Sequence, residues 1–262
     1  MPKTSIAIIG GSGLEELFEK PEQSIMKTPY GAAPPISIGK VGGKQVAILP
    51  RHGPNHSVPP HRINYRASIW ALHMLGVIRI LATNAVGAIN RDFKPGQIVV
   101  PHDFVDFTKA RLTTFYGDAP VTHIDFSQPY CPQMRKQLLD AARKIGLQVW
   151  NRAVMVCTEG PRLETPAEIE MFRKMGCDIV GMTGFPEVVL AREVEMCYAS
   201  VCYVSNMAAG LGKKVSTHDV SRVCMQIMPK LEKLLIETIG GLPIERKEAC
   251  NCASALRSAR FE

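Results

Sequence analysis

The sequence predicts an α/β fold, a β-sheet with helices packed on both faces. Short apolar runs of strand length alternate with stretches whose apolar residues recur at helical spacing. Strand after strand closes the same way, an apolar run giving way to a small or polar residue and then glycine, as in IIGGSG, ILPRHG, LATNAVG, IVGMTG and YVSNMAAG. No repeat, low-complexity segment or Ser/Gly-rich linker divides the 262 residues, so one domain over 1–262 is expected, with a tail from about 245 to 262.

Taken in order, SIAIIGG is a short buried strand running into glycines. PISIGK and QVAILP are two strands around Gly42 and Gly43, because glycine supplies the positive φ that a tight turn requires. From Ile63 to Leu75 the apolar Ile69, Leu72 and Leu75 recur at helical spacing, and Gly76 follows as a C-terminal stop. VIRILATNAVGAI is a strand ending in polar and small residues, QIVVP another, and PQMRKQLLDAARKIG a helix closed by Gly146. AVMVCTEGPR is a strand opening into a loop. Thr165, Pro166 and Glu168 then form a capping-box pattern with proline at the first helical position. DIVGMTG and CYASVCYVSNMAAG are further strands, and the amphipathic THDVSRVCMQIMPKLEKLLIETIG is the last helix. Ligands in such sheets sit beyond the strand ends, which directs attention to the closing residues.

Composition excludes several classes. The chain is 46% hydrophobic, yet no apolar run approaches the roughly 18–20 residues that span a bilayer. The opening MPKTSIAIIGGSG lacks a signal peptide's layout, so a cytoplasmic protein away from the membrane is expected. The net charge of +7 is scattered, with no basic run interleaved with aromatics. It reads as a solvated basic surface, and no nucleic-acid partner is expected. The eight cysteines lie mostly in apolar stretches, unlike a disulfide scaffold. CNC at 250–252 is too tight for a C-x2-C zinc hairpin and has no second ligand pair nearby, so it reads as inert or redox-linked.

Several segments carry chemistry. GGSG at 10–13 lacks the third glycine of the dinucleotide fingerprint, with Glu15 and Glu16 where it would fall; a simple strand-to-helix turn and an anion loop both remain open. In ILPRHGPNHSVPPHR, the histidines 52, 56 and 61 suit a metal by type. The intervening prolines and Gly53 exclude a regular helix, and no carboxylate stands at ligand spacing, which leaves a metal hydrolase as the weaker enzyme reading. Arg51 beside His52 suits a bound anion, a guanidinium fork next to an imidazole donor. Glu164, just outside the capped helix, can accept a hydrogen bond from a ligand or stand as a solvated loop acid.

These segments, in this order, resemble the trimeric purine nucleoside phosphorylase and methylthioadenosine phosphorylase family. The resemblance runs from IGGSGL through RHGPNH, NYRASIWAL, TNAVGAI, VTHIDFSQPYCP, EGPRLETPAEI, GMTGFPEVVLARE and CYASVCYVSNMAAG to CNCASAL, nearly the whole chain. It implies a nucleoside phosphorylase fold with a central mixed sheet, and phosphate attack at C1′ of a purine nucleoside without metal or organic cofactor. It assigns Ser12, Arg51, His52, Asn84, Ala85 and Thr183 to phosphate and sets Met182 under the ribose. Asn206, Glu164 and His52 are the expected catalytic residues. Phe185 packs on the base or fills core.

Two positions speak to the base. The family's 6-oxopurine enzymes place a glutamate where this chain has Glu164 and an asparagine where it has Asn206. The protonated N1 of a 6-oxopurine donates to a carboxylate, whereas adenine offers an acceptor there. Hypoxanthine or guanine is therefore expected, from inosine, guanosine or 5′-methylthioinosine, with 5′-methylthioadenosine as the alternative and a non-catalytic nucleoside- or nucleic-acid-binding protein as a remote one. At the sugar's 5′ end, His56 and His123 match methylthio-type positions, His123 reaching a neighbouring subunit's site, while His218 matches a 5′-hydroxyl ligand or is a surface residue at a helix start. Glu187 has an acid's usual place in a first helical turn and needs no function. By the same resemblance the expected partners are a purine nucleoside, phosphate and copies of the chain in a homotrimer or a hexamer. The CNCASAL tail resembles that of methylthioadenosine phosphorylases, and a Cys250–Cys252 disulfide is left open.

Overall fold

A computed structural model describes residues 4–10, 14–18, 22–118, 120–212, 214–243, 245–246, 250–257 and 259–260. The chain opens on β1 (Ile6–Gly10), buried at every position as a parallel strand covered on both faces should be. β2 (Glu22–Ser24) and a small hairpin of β3 (Lys27–Thr28) and β4 (Gly31–Ala32) lead into β5 (Ile36–Val41) and β6 (Lys44–Pro50). Between the last two, Gly42 and Gly43 take φ of 56° and 77°, the paired positive values of a two-residue hairpin turn. α1 (Tyr65–Met74) is capped by Asn64, whose Oδ1 accepts from the amide of Ala67.

β7 (Arg79–Ala88), β8 (Ile98–Val99) and β9 (Asp103–Phe107) precede a long irregular stretch that ends at α2 (Pro132–Lys144). β10 (Val149–Trp150) and β11 (Val154–Thr158) follow, then α3 (Pro166–Lys174), β12 (Ile179–Gly181), α4 (Glu187–Glu193), β13 (Cys197–Met207) and α5 (Thr217–Gly241). The expected capping box is present at α3, Thr165 and Glu168 each receiving the other's amide.

Eleven of these strands form one mixed sheet. Its main path runs β10-β8-β13-β7-β1-β6-β5-β2, and β9, β11 and β12 attach beside it through β7. β1 is parallel to both β6 and β7, and β13 is parallel to β7. β7 is the pivot. On one edge it pairs with β13 from Arg79 to Ala88. On the other it pairs with β1 only up to Ala82, then with β12 from Gly87. Among the described residues no strand pairs with Thr83 to Val86 on that edge, and Ala85 is the one exposed position of a strand otherwise buried.

The two-residue period of β1 explains the two main cores. Ile6 and Ile8 face α2 and α5 with Leu81, Val201, Leu138 and Leu234. Ala7 and Ile9 face α1 and α4 with Ile69, Leu72, Ala82 and Leu190. Truncating one of these buried leucines to alanine costs about 2–5 kcal/mol. α3 covers the side branch, setting Ile169 and Phe172 on Val156 and Val180. Among the described residues no helix is long and apolar enough to cross a membrane.

Candidate active site

Most of the described side chains expected to act lie where β6, β7, β11, β12 and β13 end. Arg51 follows β6 directly and is 2% exposed. Its Nε and Nη2 donate to the two carboxylate oxygens of Glu187 at 2.6 and 2.9 Å, and Nη1 donates to the carbonyl of Thr83 at 2.6 Å. A longer contact from Nη2 reaches the Ile9 carbonyl. Burial opposes the charge on Arg51, but the Glu187 carboxylate outweighs it and holds the guanidinium protonated. The fork expected to face an anion is therefore closed by Glu187, and among the described residues one of its five N–H groups is left over. Glu187 is no dipole ornament. It is 1% exposed and also accepts from the hydroxyl of Tyr198 at 2.8 Å.

The gap in β7 supplies the rest of an anion site. The Thr83 carbonyl points to the open edge, where it meets Arg51. By the two-residue period of a strand, Ala85 presents its amide to that same edge. Asn84 is tied down at both ends, its Nδ2 donating to Ser200 Oγ at 2.7 Å and its Oδ1 accepting from Thr183 Oγ1 at 2.8 Å. Thr183 is 7% exposed and lies in the turn between β12 and α4.

His52 differs from expectation. Its Nδ1 lies 2.9 Å from the carbonyl of Val58, an acceptor only, so that nitrogen carries the hydrogen and Nε2 is left as an acceptor. Burial, with smaller contributions from Arg51 and His56, lowers its pKa to about 4, against the Val58 bond that raises it. The ring is neutral at pH 7 and accepts rather than donates. His56 stacks on it, centroids 4.0 Å apart, from a backbone with φ of 57°.

A second group lies around β11 and β12. Glu164 is half-buried, and its Oε1 accepts from Thr158 Oγ1 at 2.7 Å, which fixes the carboxylate and leaves Oε2 open. Met182 is half-buried against Gly160, where an added Cβ would fall 2.6 Å from the Met182 sulfur. At the far end of β13 a bulge between Val204 and Asn206 turns Asn206 toward Gly87. Its Oδ1 accepts from Ser205 Oγ at 2.7 Å and its Nδ2 donates to the Met207 carbonyl at 2.8 Å, leaving the second amide hydrogen. Phe185 is 7% exposed and packs on Phe104 at 5.5 Å, a core contact.

Arg111 joins the two walls. Sequence reading missed it. From the irregular stretch after β9, its Nη2 donates to the carbonyls of Thr158, Glu159 and Met182 at 3.1, 3.1 and 2.8 Å, and its Nη1 to the carbonyl of Phe185. Tyr65 lies under the guanidinium at 5.2 Å. The long segment without periodicity between Phe107 and Pro132 is the one signal that pointed there.

The remaining candidates stand differently. Ser12 lies outside the described residues. His218 is exposed in the first turn of α5 and makes none of the hydrogen bonds that join the others. His123 is exposed on the irregular stretch, its amide donating to the carbonyl of Ala259 in the C-terminal tail at 2.7 Å.

Residues 5–240 match the family described as Phosphorylase superfamily. Among known proteins, "Probable S-methyl-5'-thioinosine phosphorylase" of Methanopyrus kandleri is 51% identical over 258 residues, 98% of this chain and 99% of that protein. The 6-oxopurine nucleoside phosphorylase of Pyrococcus furiosus is 48% identical over 268 residues, covering 99% of each chain. Among solved structures, methylthioadenosine phosphorylase from Schistosoma mansoni in complex with adenine is similar with a TM-score of 0.92 and 33% identity, over 98% of this chain and 99% of that one.

Proposed function

Because the chain belongs to the Phosphorylase superfamily, we propose that the cleft is where inorganic phosphate attacks C1′ of a 6-oxopurine nucleoside, releasing the free base and a ribose 1-phosphate. The substrates are inosine, guanosine and 5′-methylthioinosine, the last giving the 5-methylthio sugar phosphate. One observation carries the choice of base. Glu164, held through one oxygen by Thr158, offers the other to a ring N–H, which a 6-oxopurine has at N1 and adenine lacks.

Phosphate lies along the open edge of β7, against the Ala85 amide, the second Nδ2 hydrogen of Asn84 and the last N–H of Arg51, beside Thr183, with Ser12 completing the set. His52 accepts the O–H of a protonated phosphate oxygen through Nε2, leaving the attacking oxygens unprotonated. Met182 lies under the ribose. As the glycosidic bond lengthens, the sugar gains oxocarbenium character while charge collects on the purine. The phosphate beneath C1′ stabilises the cation and is already placed for attack, so positioning and electrostatics supply most of the rate. The free amide hydrogen of Asn206 stabilises the leaving base at N7 or O6, and Glu164 holds N1–H. His56 and His218 meet the sugar's 5′ end, and His123 extends to the site of a neighbouring copy in a homotrimer or hexamer. The reaction as proposed needs no metal or organic cofactor.

A second reading, cleavage of 5′-methylthioadenosine, has support in the likeness to the Schistosoma mansoni enzyme. The test is base release from inosine, guanosine, 5′-methylthioinosine, adenosine and 5′-methylthioadenosine, each with and without phosphate. Phosphate-dependent release of hypoxanthine and guanine, with adenine nucleosides poor, supports the reading. Equal or faster cleavage of 5′-methylthioadenosine overturns the base assignment, and no phosphate-dependent cleavage of any of them overturns the enzyme.

A further inference from the structure

The tail cysteines have the ligand pair that the sequence hides. Cys250 and Cys252 come back onto the sheet beside Cys131, the residue before α2, and Cys197, the first residue of β13. All four are buried, at 7%, 1%, 0% and 0% exposure, and their sulfurs lie within 4.8 Å of one another. Cys250 Sγ is 3.3 Å from Cys197 Sγ and 3.5 Å from Cys131 Sγ. A sulfur nearly equidistant from two others fits a shared centre better than a bonded pair.

We propose that Cys131, Cys197, Cys250 and Cys252 form a closed structural zinc site of four thiolates. Zinc with bonds of about 2.3 Å to sulfur sets its four ligands about 3.8 Å apart at the corners of a tetrahedron, the spacing this cluster approaches. The ligand set is complete and shut off from solvent, which leaves no open position for chemistry and separates this site from the nucleoside cleft. Forming it breaks four S–H bonds and makes four Zn–S bonds, four protons going to solvent and no electrons moving. The product carries two net negative charges, and two cations stand ready for them. The fully buried guanidinium of Arg79 lies within electrostatic reach of Cys131, Cys197 and Cys250, and Arg246 is the next charge beside it. Two chain segments already meet there, the amide of Cys131 donating to the Tyr198 carbonyl at 2.8 Å and that of Cys197 to the Ile78 carbonyl at 2.9 Å. The metal would pin the tail to both.

The test is elemental analysis of the full-length protein purified without chelator, paired with alkylation and mass measurement of the denatured chain without reductant. The expected result is one zinc per chain, eight alkylatable cysteines once the metal is chelated, and zinc release when an organomercurial titrates the thiols. Cys250→Ser and Cys131→Ser lower the zinc content at least tenfold, while Cys224→Ser, outside the cluster, retains it. Cobalt exchanged into the site gives thiolate charge-transfer absorption in the wild-type protein and Cys224→Ser, and not in Cys250→Ser or Cys131→Ser. Two disulfides among the four cysteines, or four free thiols that take up no added zinc, would overturn the proposal whatever the activity on nucleosides.

Discussion

Replacing Glu164 with glutamine tests the proposed placing of its carboxylate against N1 of the base. The Thr158 hydroxyl donates to Oε1 at 2.7 Å, and a glutamine carbonyl accepts that bond equally well, so the side chain keeps its place. What changes is the group facing N1. A carboxylate oxygen becomes an NH2 and meets the N1–H of hypoxanthine donor to donor. A hydrogen bond to a charged group contributes about 1.5–3 kcal/mol, and each 1.36 kcal/mol is tenfold in rate, so kcat/KM for inosine should fall about 10- to 150-fold. Adenine's N1 accepts from the new amide, so kcat/KM for adenosine should hold or rise. Initial rates of base release at saturating phosphate give both numbers from one preparation. An unchanged adenosine-to-inosine ratio, whether both fall or neither does, would refute the placing of Glu164 at N1.

Three further outcomes follow from the same geometry. Glu187→Gln leaves the Arg51 charge buried without its counter-charge, and should lower the unfolding free energy in urea by about 3–5 kcal/mol, against about 1 kcal/mol for Tyr198→Phe; a loss under 1 kcal/mol for the glutamine variant would show the pair to be dispensable. His52 titrates near 4 when folded and near 6.5 when unfolded, so the unfolded chain binds the extra proton between those values. Its contribution to stability is complete above about pH 6.5 and is lost as pH falls toward 4, and urea midpoints measured from pH 7 to 5 should show a slope that His52→Gln reduces. Arg111→Met strips donors from four backbone carbonyls, each costing about 1–3 kcal/mol if left buried and unpaired. KM for the nucleoside should rise at least tenfold, more than kcat falls, while circular dichroism stays unchanged; a KM equal to that of the wild-type protein would argue against its holding the walls of the cleft.

The sheet was legible because its strands are buried on both faces and show as apolar runs closed by glycine, and α1, α2, α3 and α5 because their caps and periods are written locally. β9 was not, since Asp103 and Asp106 interrupt its apolar residues, nor was β2, three residues with none fully buried. At the site, residues beside glycine-rich strand ends could be named, whereas their partners could not. Glu187 looked like an ordinary first-turn acid, and its pairing with Arg51 joins positions 136 residues apart. His52 was named but given the wrong hydrogen-bond role, because its tautomer depends on the Val58 carbonyl across a loop. The four cysteines failed for the same reason, the second ligand pair being distant in the chain and adjacent in space.

The interrupted edge of β7 has a consequence for specificity. The anion contacts proposed there come from the Ala85 amide and from Arg51, Asn84 and Thr183, side chains held in place by bonds to Glu187, to Ser200 and to one another. The groups proposed to read the base are side chains borne by other strands and loops. On the proposed reading, point changes at positions such as 164 would alter the base preference while leaving the phosphate contacts at the ends of β6 and β7 in place.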